Sequence, residues 1–259
     1  MSKNKERFAR FGIGTKGFVY ILIGGLTAAA AFGRGQKTDS SGVLEFLSNQ
    51  PLGLVMIGIT VLGLCGLVFW RFYQAFKDPE DKGSDFKGIA NRIGYFSSGF
   101  FYCFLIVSGV EILLNSNSGS GNSKETLVSK LLDEPYGQIM VIAVSLIFLG
   151  KAIYQFWRAF SGKFKDKVKA TGHKIATRKF ILYTGRIGYT ARGIVISIIA
   201  YLTFSAAMNY DSDKAGGTED AFHFVESEFG TIILFLIAAG LFSYGVFMLI
   251  KARFRKMAI

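Results

Sequence analysis

Hydrophobic residues along this chain are gathered into six long runs that charged residues rarely interrupt. The runs cover about residues 12–32, 52–70, 93–114, 136–157, 187–209 and 229–250. A helix of about twenty apolar residues crosses the roughly 30 Å hydrocarbon core of a bilayer, and it satisfies every backbone amide of the run internally. The pattern therefore predicts an all-α membrane protein with six transmembrane helices.

Basic residues predict how these helices are oriented. The N-terminal residues, the connections 71–92 and 158–186, and the C-terminal tail together carry 22 Lys and Arg, whereas the alternate connections carry five. Lys and Arg in short loops favour the cytoplasmic side. We therefore expect both termini to be cytoplasmic, and we expect most of the net charge of +12 to reflect topology.

A pattern of one arginine and two glycines occurs three times, at the start of the first, third and fifth runs. Its arginines are Arg10, Arg92 and Arg186, and its glycine pairs are Gly12 and Gly17, Gly94 and Gly99, and Gly188 and Gly193. A second landmark, Gly53, Gly137 or Gly230, opens the following run. Each unit is thus a pair of helices, and the units cover residues 8–78, 90–162 and 184–256, with 163–183 as a basic cytoplasmic connection.

The repeats predict the architecture of a single membrane domain over residues 1–259. Units inserted in the same sense are related by an axis along the membrane normal, so we expect three tandem parallel repeats with pseudo-threefold symmetry. The glycine pairs are expected at helix contacts, since small residues let backbones approach closely. The first run also resembles a signal peptide, but its alignment with the third and fifth runs favours a retained helix.

The repeated arginine-glycine starts, together with helix ends such as Trp70–Phe76 and Tyr154–Phe160, resemble the bacterial membrane proteins of domain of unknown function 1206. The resemblance covers nearly the whole chain. It implies an architecture of three tandem two-helix units in a bacterial inner (plasma) membrane. It implies no activity and no catalytic residue.

Four ionisable residues fall within the predicted spans: Lys16, Glu111, Lys151 and Arg192. A charge inside a membrane costs free energy, so such residues are candidates for a site, although each of the three cations lies near enough to a cytoplasmic end to reach the interface. Lys16 and Arg192 occupy equivalent repeat positions. With Lys151 they are expected to form a cationic cluster suited to lipid phosphates or an anionic solute, and Glu111 is a candidate for a buried ion pair or a coupling proton.

Three further features are predicted at the ends of the spans. Trp70, Tyr73, Tyr154 and Trp157 are assigned to an interfacial aromatic belt, and Arg10, Arg92 and Arg186 to the cytoplasmic interface. Segments such as 43–47 and 127–132 have the apolar spacing of short helices lying on the outer surface. The basic segment 158–186 is expected to mark topology or to lie against anionic lipid.

Candidate chemistry beyond this is sparse. The sequence contains no hydrolase, zinc, P-loop or dinucleotide motif, Cys65 and Cys103 lie in apolar runs, and His173 and His223 are expected on opposite sides of the membrane. We therefore expect no enzyme, no metal, no cofactor and no nucleic-acid partner.

Three functions remain open. The first is a non-catalytic scaffold or accessory protein that binds a membrane partner or anionic lipid. The alternative is a channel or carrier along the repeat axis, and a lipid-modifying enzyme is a distant third.

Overall fold

Eight helices form the part of the chain that the computed structural model describes, namely residues 3–79, 83, 85–114, 128, 131–132, 134–162, 175–211 and 214–254. These residues include no strand. The helices, in chain order, are α1 (Lys3–Ala30), α2 (Ser40–Ser48), α3 (Gly53–Lys77), α4 (Phe86–Leu113), α5 (Gly137–Ser161), α6 (Ile175–Asn209), α7 (Thr218–Phe229) and α8 (Thr231–Phe254). Every one except α2 and α7 is long and apolar enough to cross a bilayer. The fold is thus that of a multi-pass membrane protein.

The six long helices extend beyond the apolar runs that predicted them. Helix α1 begins at Lys3 and α6 at Ile175, each about two or three turns before its run. Residues 175–183, predicted as part of a connection, are therefore helical, while 163–174 lie outside the described residues. A helix that leaves the hydrocarbon still satisfies its own amides, so polar residues continue it.

Local signals explain several helix boundaries. The Asp39 carboxylate accepts hydrogen bonds from the backbone N–H groups of Ser41 and Gly42 at the start of α2, and Asp85 caps α4 through Gly88 N–H. Such side chains satisfy amides that have no partner in the first turn.

Two of the landmark glycines are explained by the turns that precede α3 and α5. These helices start after a proline and a residue with left-handed backbone, Leu52 (φ 63°) and Tyr136 (φ 69°). A Cβ at the next residue, Gly53, would lie 2.5 Å from the carbonyl oxygens of Leu47 and Ser48. Only glycine fits at this position without movement of the backbone.

The long helices pack in an antiparallel series. Helix α4 packs against α3, α3 against α1, α1 against α8, α8 against α6, and α6 against α5. Helices α1, α4 and α6 start at one end of the bundle, which we call the terminal end because it holds Lys3 and Phe254. We call the opposite end, which holds α2 and α7, the loop end. The three hairpins therefore run in the same sense, and their approximate threefold relation remains a prediction.

The short helices α2 and α7 cover the loop end. Val43, Leu44 and Leu47 of α2 are buried, as are Phe222 and Val225 of α7. Helix α2 contains the predicted surface segment 43–47. The corresponding segment 127–132 is described only at residues 128, 131 and 132, which are helical. The loop-end helices thus close their own bundle with their apolar faces.

Candidate functional site

Five cations lie close together in the terminal half of the bundle. Lys16 comes from α1, Arg71 from α3, Lys151 and Arg158 from α5, and Arg192 from α6. Each of the other four is near enough to Lys16 to repel its charge. We call these five residues the cationic cluster. The structure thus brings together Lys16, Lys151 and Arg192, the three cations predicted from the sequence, and adds two arginines.

Lys16 is the most deeply buried member, with 4% of its surface exposed. Its Nζ lies 5.1 Å from the centre of the Tyr102 ring and 5.8 Å from that of Tyr20. Within the described part of the chain its ammonium group has no hydrogen-bond or ion-pair partner. The faces of two aromatic rings offset part of the cost of burying this charge, but an ammonium group has three donors to satisfy.

Tyrosines surround the rest of the cluster. Arg192 donates a 2.6 Å hydrogen bond from Nη1 to the hydroxyl oxygen of Tyr244 and lies over the ring of Tyr20 at 5.3 Å. The Arg158 guanidinium lies 4.6 Å from the centre of the Tyr189 ring. Since the Tyr244 hydroxyl accepts a bond from arginine, its own proton is available to a further acceptor.

Arg71 and Lys151 complete the cluster. Arg71 lies 5.5 Å from the Tyr95 ring and donates from Nη1 to Gln74 Oε1 at 3.1 Å, whereas its buried Nε has no acceptor in the described part of the chain. Lys151 is half-buried, with Nζ 5.2 Å from the centre of the Phe101 ring. Both side chains thus present N–H donors that the described residues do not saturate.

No carboxylate of the described residues is paired with the cluster. Ion pairs join Arg10 to Glu6, Lys37 to Glu226 and Lys214 to Asp211, and none of the five cluster members forms an ion pair with a described residue. Among the residues of the six predicted spans, Glu111 is the only acid. It follows Tyr102 by nine residues on α4, about 14 Å along the helix axis towards the loop end. Glu111 is half-buried there, so the structure places it apart from the cations.

Two of the repeat arginines bind the ends of neighbouring helices. Arg10 donates to the carbonyl oxygens of Ala252 (2.9 Å) and Arg253 (2.6 Å) at the end of α8. Arg92 donates to those of Ala75 (2.7 Å) and Phe76 (3.3 Å) at the end of α3. A cation at a helix C-terminus satisfies unpaired carbonyls and interacts favourably with the helix dipole. In each case the arginine caps the last helix of the repeat beside it.

The third repeat arginine differs. Arg186 is exposed and donates no hydrogen bond to the described residues. The sequence predicted an interfacial position for all three arginines but not the capping role of Arg10 and Arg92.

Five of the six repeat glycines lie at close helix contacts. A Cβ at Gly17 would lie 2.9 Å from the Gly245 carbonyl, and one at Gly188 would lie 2.5 Å from the Cα of Tyr244. Gly12 approaches α3, Gly99 approaches Arg71 and Phe72, and Gly193 approaches Phe156. Gly94 is the exception, since nothing lies within 4 Å of the position its Cβ would take.

The predicted aromatic belt requires one correction. Trp70 is buried, with 1% of its surface exposed, and belongs to the core of the terminal half with Leu67 and Phe247. Tyr154 and Trp157 are exposed, as an interfacial position requires. Trp70 faces inwards because α3 packs on both sides, against α1 and α4.

Comparison with known proteins agrees with the repeats. The family model described as Domain of Unknown Function (DUF1206) matches residues 11–78, 93–162 and 187–255. The chain is 32% identical over 256 residues to the uncharacterized protein YxxB of Bacillus subtilis (strain 168), covering 97% of this chain and 92% of that protein. No solved structure matches significantly. The three matched segments coincide with the three hairpins and cover most of the sequence, and the chain therefore belongs to the DUF1206 family.

Proposed function

We propose that this chain is a non-catalytic membrane protein that binds a phosphate-type anion, free or carried by a lipid, at the cationic cluster. The observation that carries the proposal is a group of one buried and four half-buried cations for which the described residues supply no acidic partner. An unpaired charge removed from water is costly, and the usual remedies are a counter-ion or direct hydrogen bonds. A bound anion would supply both.

The donors of the cluster suit a tetrahedral oxyanion. Guanidinium groups bind phosphate oxygens with two parallel hydrogen bonds, and lysine adds a compact point charge. Lys16, Arg192 and the Tyr244 hydroxyl come from three different helices, so one anion bridging them would also hold α1, α6 and α8 together. Such a ligand is expected to stabilise the fold as well as occupy the site.

Packing in the loop half favours binding over passage through the bundle. Val19, Ile57 and Val195 are buried there in an apolar core that extends to Phe222 and Leu234. A through-channel needs a hydrated path, and this core occupies the half of the bundle beyond the cluster. The binding hypothesis is therefore preferred to the channel or carrier, which becomes an outcome of the test.

The test is an anion titration of the purified chain in an uncharged detergent. Inorganic phosphate at constant ionic strength should raise the unfolding temperature. We expect Lys16→Gln and Arg192→Gln each to weaken phosphate binding by about 10- to 100-fold, because one charge-assisted hydrogen bond is worth about 1.5–3 kcal/mol. Lys77→Gln, at an exposed position on α3, is the matched control.

A second measurement separates binding from transport. In liposomes we expect no phosphate flux through the wild-type chain. Flux that disappears in Lys16→Gln would instead favour a carrier, and stabilisation equal in all variants would contradict the proposed site.

A further inference from the structure

The contact between the two helices of a hairpin differs among the three repeats. In the first, Gly12 of α1 approaches the backbone of Gly66 and Leu67 on α3. In the third, Gly188 of α6 approaches the backbone of Tyr244 on α8. Both contacts lie in the terminal half. In each, the two helix backbones are so close that a glycine hydrogen fits between them but a Cβ does not. The repeats therefore encode a close contact at this level.

The second hairpin lacks this contact. The register that pairs Gly53 with Gly137 also pairs Gly66 with Gly150, so its equivalent glycines are Gly94 on α4 and Gly150 on α5. Each would find nothing within 4 Å of an added Cβ. Helices α4 and α5 are not among the packed helix pairs of the described chain. We call the space between these two helices the seam.

Lys151 lies at the repeat position that forms the close contact in the other two hairpins. In the same register its counterparts are Leu67 and Tyr244, the residues that contact the first glycine in the other two hairpins. Those two side chains are fully buried, whereas Lys151 is half-buried. Its Nζ lies beside Phe101 of α4, and its charge interacts with Arg192 and Arg71. Lys151 thus lies both at the seam and within the cationic cluster.

The walls of the seam are apolar or small. Phe101 follows Gly94 by two helical turns and so lies on the same face of α4, while Ile147 and Tyr154 flank Gly150 on one face of α5. All three side chains are exposed, at 52%, 59% and 45%. Only 17% of the apolar part of α4 and 22% of that of α5 are buried, against 56% for α3. These two helices are therefore the ones most open to lipid.

We propose that the seam is a lateral entrance from the bilayer, and that the occupant of the cationic cluster is an anionic glycerophospholipid. Its phosphate lies against Lys151 and the inner cations, and its acyl chains lie along the seam faces of α4 and α5. An anionic headgroup suits the site because the five cations of the cluster have no acid paired with them among the described residues. This inference rests on the proposed anion site and adds the chemical class of the ligand and its route.

Glycine variants of the full chain test the route. Gly94→Leu and Gly150→Leu place a side chain in the open seam, and Gly25→Leu is the matched control, since Gly25 is exposed on α1 with nothing within 4 Å. Binding of phosphatidylglycerol, phosphatidylcholine and inorganic phosphate is measured by native mass spectrometry and thermal shift. We expect both seam variants to lower phosphatidylglycerol occupancy at least fivefold, while phosphate binding and the Gly25→Leu variant remain as in the wild type.

Each other outcome is decisive. Phosphate binding without phosphatidylglycerol binding, or phosphatidylglycerol binding that the seam variants leave intact, overturns the lipid route but leaves the anion site standing. Equal binding of phosphatidylcholine also overturns the anionic-lipid assignment. If the wild type binds neither phosphate nor phosphatidylglycerol, both proposals are overturned. Unfolding of both seam variants contradicts an open seam, because a leucine in open space does not disturb packing.

Discussion

The two halves of the bundle differ in the kinds of side chain that they bury. The loop half is an apolar core covered by α2 and α7, and a partly buried ion pair between Lys37 and Glu226 connects the chain before α2 to α7 there. The terminal half has an apolar core of its own around Trp70, but it also buries Lys16 among cations and tyrosines with which no acid of the described residues is paired. The same helices build both halves, so the difference resides in the side chains. Under the proposed function, the loop half supplies stability and the terminal half gives up stability to hold a ligand.

Removing a core side chain from the loop half should produce the largest effect. Phe222 of α7 is fully buried, so Phe222→Ala should lower the free energy of unfolding by about 3–5 kcal/mol. Phe229, on the same helix and 60% exposed, supplies the control, and Phe229→Ala should change it by less than about 0.5 kcal/mol. Equal losses in denaturant unfolding in detergent would show that α7 does not seal the core.

Removing a buried charge from the terminal half should act in the opposite direction. Without added anion, Lys16→Met should raise the free energy of unfolding by about 1–3 kcal/mol, because an uncompensated buried ammonium is replaced by an apolar side chain of similar length. The same variant should lose its response to phosphate. Lys77→Met, at an exposed position, controls for the loss of one charge. A destabilised Lys16→Met would mean that the lysine serves the packing of the terminal half.

The repeat arginines offer a three-way comparison within the terminal end. Arg10→Gln and Arg92→Gln should each lower the free energy of unfolding by about 1–2 kcal/mol, because each removes charged hydrogen bonds to the final carbonyls of a neighbouring helix. Arg186→Gln should cost less than about 0.5 kcal/mol. Thermal unfolding of the three variants measures the difference. Equal losses of stability in all three variants would mean that the hydrogen bonds from Arg10 and Arg92 to the helix ends add nothing to stability.

The smallest effect is expected from the ion pair of the loop end, in which the Lys37 side chain is 10% exposed and the Glu226 side chain 33%. Lys37 contacts both Glu226 and His223 Nδ1 (3.0 Å). A double-mutant cycle of Lys37→Met and Glu226→Gln should give a coupling of about 1 kcal/mol or less, and high salt should reduce it further. A coupling energy that does not change with salt would mean that the pair is shielded from solvent more fully than its exposed fraction indicates.

Much of the fold was predictable because membrane helices are encoded locally. The six hydrophobic runs correspond to α1, α3, α4, α5, α6 and α8, and the matches to the family fall on the three repeats. The ends of the helices were less predictable. Hydropathy reports the hydrocarbon boundary, whereas the helix at Ile175 or Lys3 continues into polar surroundings.

The site was predictable in part. Lys16, Lys151 and Arg192 stood out as charges inside apolar runs, but Arg71, Arg158 and the five tyrosines lay at run ends or in ordinary apolar sequence. Their role depends on which helices adjoin one another, and the sequence does not give that order. One signal was available, since the repeat register shows Lys151 at a position that is Leu67 and Tyr244 in the other repeats.

The most direct measurement is a cryo-electron microscopy map of the full chain in nanodiscs that contain phosphatidylglycerol. We predict non-protein density within hydrogen-bond distance of the Lys16 ammonium and the Arg192 guanidinium, continuous with acyl density between α4 and α5. A well-resolved terminal half with no density between these two cations would contradict the proposal that the cluster exists to bind an anion.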